Sequence, residues 1–273
     1  MPFDGFLSND QINNIAPSVF ALAPSPKVSE RYAYLPTYPV IEQLRARGLG
    51  VTSVKQGRTR DRHGRMYVMH EVRMAMVGDV YSRQTRELGN LTPQIILLNS
   101  HNRTTSMTMF GGLLRGLCHN GLFFGSADAG GFEAMHYRMD MERVTDAAYA
   151  IVERFERLIE GANAWSKIRL TQEQARRFGQ KAIEIRGTSM NVDPMALVVP
   201  NRPQDIRDDL WTTFNTVQER LTHGTVQAQR ANNSWRKLPA IKSLKVDVDM
   251  NRKLWAAASE LAAEVMPVSV VLA

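Results

Sequence analysis

The apolar run Ile95-Ile96-Leu97-Leu98 is too short for a helix and empties directly into the polar cluster Asn99-Ser100-His101-Asn102-Arg103-Thr104-Thr105. A run of that length bounded by turn-forming residues reads as a buried strand, so this chain has to build a sheet and cover it. Val51 to Val77 has the pattern of a β-hairpin that supplies neighbouring strands. In its second limb Met66, Val68, Val72, Met74 and Met76 share one parity while Tyr67, Glu71 and Arg73 take the other, which predicts one buried and one solvated face. From Met107 to Leu117 the apolar residues Met107, Phe110, Leu113, Leu114 and Leu117 fall at helical spacing. Gly111, Gly112 and Gly116 each weaken a helix by ~1 kcal/mol relative to alanine, so a glycine-rich helix packed closely on the sheet is expected. Leu122 to Phe124 and Phe132 to Arg138 read as two further strands.

Five prolines (Pro17, Pro24, Pro26, Pro36 and Pro39) exclude a long helix from residues 1–39. That segment is expected to be an extended arm, wrapped on a neighbouring subunit or strapped to its own domain. A short helix is expected from Val40 to Arg47, with Gly48 as its stop. Asp140 is placed to cap a long amphipathic helix reaching Trp165, with Val144, Ala148, Ile151, Phe155, Leu158 and Ala162 as its stripe. Thr171-Gln172-Glu173-Gln174 has the form of a capping box and opens a helix ending near Gly187. Asp205 is expected to cap a helix carrying Ile206, Leu210, Phe214, Val217 and Leu221, with Gly224 behind it. Leu244 to Val248 alternates like a short strand, and Asn251 to Met266 reads as a terminal helix. The fold class is α+β: an antiparallel sheet with a basic hairpin packed on long helices, plus a C-terminal helical region. The expected division is an arm at 1–39, a core at 40–189 and a helical region at 190–273.

Charge narrows the choice of partner. The formal net charge is +7 and the isoelectric point about 9.7, a balance that favours an acidic partner such as nucleic acid. The hairpin loop Lys55 to Arg65 holds five basic residues (Lys55, Arg58, Arg60, Arg62 and Arg65) against Asp61 alone, a local +4. A guanidinium cluster on a hairpin tip suits phosphate, whose oxygen pairs Arg can bind; a solvated loop is the alternative. Aromatic rings that could stack on bases lie beside basic residues at Tyr67, Tyr137 and Trp235, and Trp235-Arg236-Lys237 has the most polar neighbours. The polar knot Asn99, Ser100, His101 and Asn102, with His119 and Asn120, is either a pocket or buried architecture.

Catalytic chemistry has little to stand on. One cysteine excludes an internal disulfide and any zinc site built from several thiolates, and together with an N-terminus lacking a basic-then-apolar leader it points to the cytosol. Cys118-His119 are sequence neighbours and so are not assumed to meet as a nucleophile and base. His101, His119, His136 and Asp128 lack the short spacing of zinc motifs, so no metal is expected. Asp247 and Asp249 would share a face on a strand, as nuclease carboxylates sometimes do, but read as a surface edge. Neither a P-loop nor a dinucleotide fingerprint is present, and no cofactor is expected.

Three groups of residues carry a family resemblance: Leu97 to Asn102, Phe110-Gly111-Gly112-Leu113-Leu114-Arg115, and Cys118-His119-Asn120-Gly121-Leu122. Leu210 to Glu219 and Val248 to Trp255 extend it. Over about residues 30–265 the chain resembles the phage/plasmid-like protein family described as domain of unknown function 932, with His119 where the family's element has serine. The resemblance implies a mobile-element origin and an association with recombination, replication or escape from host defence. The expected function is therefore non-enzymatic nucleic-acid binding, DNA foremost, of the single-strand-annealing kind and in a homo-oligomer. The alternative is an anti-defence protein that binds a host protein or small ligand.

Overall fold

The computed structural model describes residues 5–61, 63–76, 85–116, 120–123, 132–134 and 141–265, with only the backbone at 120–123, 132–134 and 141. Arg62, Cys118, His119, Asp128, His136, Tyr137 and the expected cap Asp140 therefore lie outside the described residues or side chains. The chain divides into two compact units, residues 1–117 with 121–158, and residues 118–120 with 159–273. The division expected at residue 190 falls inside the second unit.

The first unit is built on an antiparallel sheet of β1 (Leu49–Gln56), β2 (His70–Met76), β3 (Leu91–Asn99), β4 (Met107–Arg115), β5 (Asn120–Phe123) and β6 (Phe132–Ala134). The order is β1-β2-β3-β4-β5, with β6 also pairing with β4. Two helices, α1 (Asn9–Ile15) and α2 (Thr37–Arg45), precede the sheet, and α3 (Met141–Val152) follows it. Ser8 and Gln11 close a capping box on α1, a start signal within the arm that its prolines had obscured. Val40, Ile41 and Leu44 of α2 and Val144, Ala148 and Ile151 of α3 are buried, and both helices pack on the sheet. Gly48, at φ 86°, stops the chain after α2, as expected.

Three sequence expectations give way in this unit. Met107 to Arg115 is strand rather than helix: Leu97 faces Met109, Ile96 faces Phe110 and Ile95 faces Gly111 across the β3–β4 ladder. A strand with both faces buried has no alternation to show, and its scattered apolar residues mimic helical spacing. On β2 both faces are closed as well, so Glu71 and Arg73, assigned to a wet face, are 0% and 5% exposed. They pair with each other instead, with Arg73 Nε donating to Glu71 Oε1 at 2.7 Å. The long helix expected to reach Trp165 is broken at Glu153 and Arg154 into α3 and α4 (Phe155–Trp165).

In the second unit α5 (Gln172–Arg186) packs on α6 (Pro194–Val198), α7 (Leu210–His223) and α8 (Leu244–Val265), and α7 packs on α6 and α8. Trp165 stacks on Trp255 with centroids 4.1 Å apart, and Phe214 meets both rings edge-on at 5.5 Å. Helix α7 is buried almost all round, polar residues included. Gln218 donates to Asn251 Oδ1, and Arg202 grips Glu219 with both terminal nitrogens. The capping box at Thr171 and the left-handed Gly187 bound α5 as expected. Asp209, not Asp205, caps α7 by accepting from the Thr212 amide, and Ile206 is left 72% exposed. Leu244 to Val248 is the opening of α8 rather than a strand, because Ser243 accepts from the Val246 amide through its hydroxyl and from the Asp247 amide through its carbonyl. Asp247 thereby turns inward to Asn251 while Asp249 pairs with Lys253, so the two carboxylates serve different partners.

Behind α7, β7 (Gln227–Gln229) and β8 (Trp235–Lys237) form a small hairpin. Gly224 sets its root. At φ 64° it occupies left-handed space, and a Cβ there would stand 2.0 Å from the Leu238 carbonyl oxygen. Gly224→Ala is expected to cost about 2 kcal/mol or more of stability, read as a lower urea midpoint with unchanged slope. Among the described residues no helix is long and apolar enough to cross a membrane.

Candidate nucleic-acid interface

The β1–β2 register sets Gln56 opposite His70, and the β2–β3 register sets His70 opposite Asn99. The hairpin loop, the β3–β4 loop and the chain entering α2 therefore meet at one end of the sheet. Their meeting place is a buried polar cluster. His70 is fully enclosed, with Nδ1 2.9 Å from Ser18 Oγ and Nε2 2.8 Å from Thr37 Oγ1. Asn99 donates to the Leu35 carbonyl and Thr37 Oγ1 and accepts from the Ser100 amide. The Ser100 hydroxyl closes the next turn through the Thr105 carbonyl and amide. His101 lies against Tyr34 and His70 with ring centroids 5.1 and 5.2 Å away, and its backbone bonds Tyr67 and Ser25.

Burial sets the protonation in this cluster. Desolvation, with His101 nearby, pushes His70 down to about 3, so its ring is neutral. The phenols of Tyr32 and Tyr34 are pushed up to about 12, chiefly by burial. Asn99, Ser100 and His101 are 0% exposed and join three loops to one another in place of lining an open pocket. Asn102 is half-buried and accepts from the amide and hydroxyl of Thr104, a local turn. His119 and the side chain of Asn120 are outside the description.

The charged groups stand outside this cluster. Asp61 organises the tip: it accepts from the His63 amide and from Lys27, and hydrogen bonds from Gly64 and Lys27 hold its carboxyl below the ordinary carboxylate value. Gln56 anchors the far side by donating to the Arg65 carbonyl. With the one acid of the loop engaged, Arg58, Arg60 and Arg65 are exposed and make no ion pair among the described residues. Lys55, on β1 at the loop's base, is exposed too. Two neighbouring segments add charge that sequence reasoning did not assign. Lys27 and Arg31 come from the arm, and Arg103, at φ 64°, from the β3–β4 loop. Arg103 was in view as part of the polar cluster, but only the pairing of β3 with β2 brings it to the same end as the hairpin tip.

In the second unit Trp235, Arg236 and Lys237 are all exposed, Trp235 at 67%. Arg230, Lys242 and Lys245 around them are exposed as well. No Asp or Glu occurs between Glu219 and Asp247, a signal that was legible in the sequence.

Among the described residues no group of three or more His, Cys, Asp or Glu is placed to hold a metal ion. The Ser18–His70 contact is sealed from solvent, with both ring nitrogens engaged. The arrangement presents exposed cations in both units.

The model of the family described as domain of unknown function DUF932 matches residues 26–255. The UPF0380 proteins YfjQ and YafZ of Escherichia coli (strain K12) are each 30% identical to this chain over 257 residues, covering 93% of it and 91% of their own length. No solved structure matches the chain.

Proposed function

Since the chain belongs to the DUF932 family, whose description carries no activity, we propose from its own geometry that the protein binds nucleic acid without transforming it. The observation that carries this reading is convergence. Three segments remote in sequence bring Lys27, Arg31, Arg58, Arg60, Arg65 and Arg103 to one end of the first sheet, and the tip's acid is already neutralised by Lys27. Unpaired guanidinium groups on loops held at their bases suit a row of phosphates, which they can meet in pairs of N–H bonds. A role in recombination, implied by the family resemblance, extends the same proposal.

Phosphate contacts release counterions, so affinity for a single strand is expected to fall with salt by a log–log slope of about −0.7 per contact. Replacing Arg58, Arg60, Arg62 and Arg65 with alanine should bring the slope closer to zero by about 3. Fluorescence anisotropy of a labelled oligonucleotide over graded salt reads this directly. An unchanged slope removes the hairpin from the interface, and cleavage of the oligonucleotide on adding divalent metal replaces binding with catalysis.

A further inference from the structure

We infer that the β7–β8 hairpin of the second unit is a base-stacking element, and that the nucleic acid it takes is single-stranded. This rests on the nucleic-acid reading above and deepens it by naming the form of the ligand. The chain has four tryptophans. Trp165, Trp211 and Trp255 are 6%, 1% and 8% exposed, whereas Trp235 is 67% exposed. Its ring stacks on no other aromatic among the described residues.

The hairpin that carries it is firmly rooted. Val226, Ala228 and Leu238 are buried at its base, the Leu238 amide donates to the Val226 carbonyl, and Asn191 exchanges backbone bonds with Gln229. Gly224 lets the strand ends approach closely. Beyond that base the turn is tight: the Arg230 amide bonds Ser234 and Asn233 bonds back to Arg230, with Asn233 in left-handed space at φ 63°. A rigid ring is thus held outward on a fixed stem and loses little freedom when a flat partner meets it.

Charge complementarity identifies that partner. On β8 Lys237 shares the face of Trp235 while Arg236 takes the other, Arg230 pairs across the turn, and no acid lies between Glu219 and Asp247. A flat apolar face joined to negative charge at short spacing describes a nucleotide. In a duplex the base faces are covered by their neighbours, whereas an unpaired strand offers each face to an aromatic ring while its backbone runs along the cations.

Trp235 is the one open indole of the four, so its emission reports on the site. The full-length protein is titrated at low salt with an oligodeoxythymidylate and with a duplex of equal length, following tryptophan fluorescence and the anisotropy of labelled DNA. The single strand is expected to quench the emission, and Trp235→Phe to abolish the quench while keeping most of the affinity. Trp235→Ala should weaken single-strand binding about 5- to 100-fold and leave duplex binding unchanged. Since this side chain is at the surface, circular dichroism of the variant should match the parent. Salt-sensitive binding that Trp235→Ala does not alter, or an equal loss on duplex, overturns the stacking element and leaves the nucleic-acid reading standing. An acidic peptide that quenches the ring when DNA does not overturns it in favour of a protein partner. Absence of binding to either strand form at low salt overturns both.

Discussion

Replacing Arg73 with methionine is expected to lower the free energy of unfolding by about 3–5 kcal/mol, the cost of stranding a buried charge. Glu71 and Arg73 sit two residues apart on β2 and therefore on one face of the sheet, with side chains 0% and 6% exposed. Arg73 supplies the ion pair to Glu71, whose second oxygen, Oε2, is buried with no hydrogen-bond partner among the described residues. Removing the guanidinium leaves a carboxylate closed off from water. The double variant Glu71→Leu with Arg73→Met removes both charges, and most of the lost stability should return. Urea denaturation of the parent, the single and the double variants reads the difference. A double variant as unstable as the single one would locate the cost in shape rather than charge.

Acid should destabilise the protein through His70. The fully buried ring titrates at about 3 in the folded chain against an ordinary value of 6.5. Between those values the unfolded state holds a proton that the folded state refuses. The stability is therefore whole above pH 6.5, falls as pH falls through the window, and levels off below pH 3. At pH 4.5 the gap amounts to two pH units, about 3 kcal/mol at 1.36 kcal/mol per unit. Urea midpoints at pH 7 and 4.5, compared with those of His70→Gln, isolate this contribution from that of the carboxylates. The parent should lose about 3 kcal/mol more than the variant on acidification, and parallel losses would acquit His70.

What the sequence disclosed and what it hid follow from how each residue finds its partner. Thr171 and Gln174 meet within one turn, and Gly187 and Gly224 act through their own backbone, so these helix ends were legible locally. Ile95 to Leu98 was legible as strand because so short an apolar run between polar residues has few other homes. Glu71 and Arg73 misled because alternation reports chemistry, and an ion pair lets charged residues occupy a closed face. Met107 to Arg115 misled because its partner strands, Leu91–Asn99 and Phe132–Ala134, decide its state, and their register is a tertiary fact. The basic loop was visible at once as composition. Its alliance with Lys27, Arg31 and Arg103 depends on strand pairing and on the contact of Lys27 with Asp61, neither of which has a local signature.

The clamp formed by Gln56, His70, Asn99 and Thr37 separates two kinds of mutational tolerance. Residues below it are bound to several segments at once, so a single replacement there disturbs every loop the clamp gathers. The described residues beyond it, between Arg58 and Arg65, bond within their own turn, to Lys27 or to Gln56. The outer loop can therefore change its sequence, and with it the ligand it prefers, while the foundation stays unaltered, which makes it the natural place to graft a different recognition sequence.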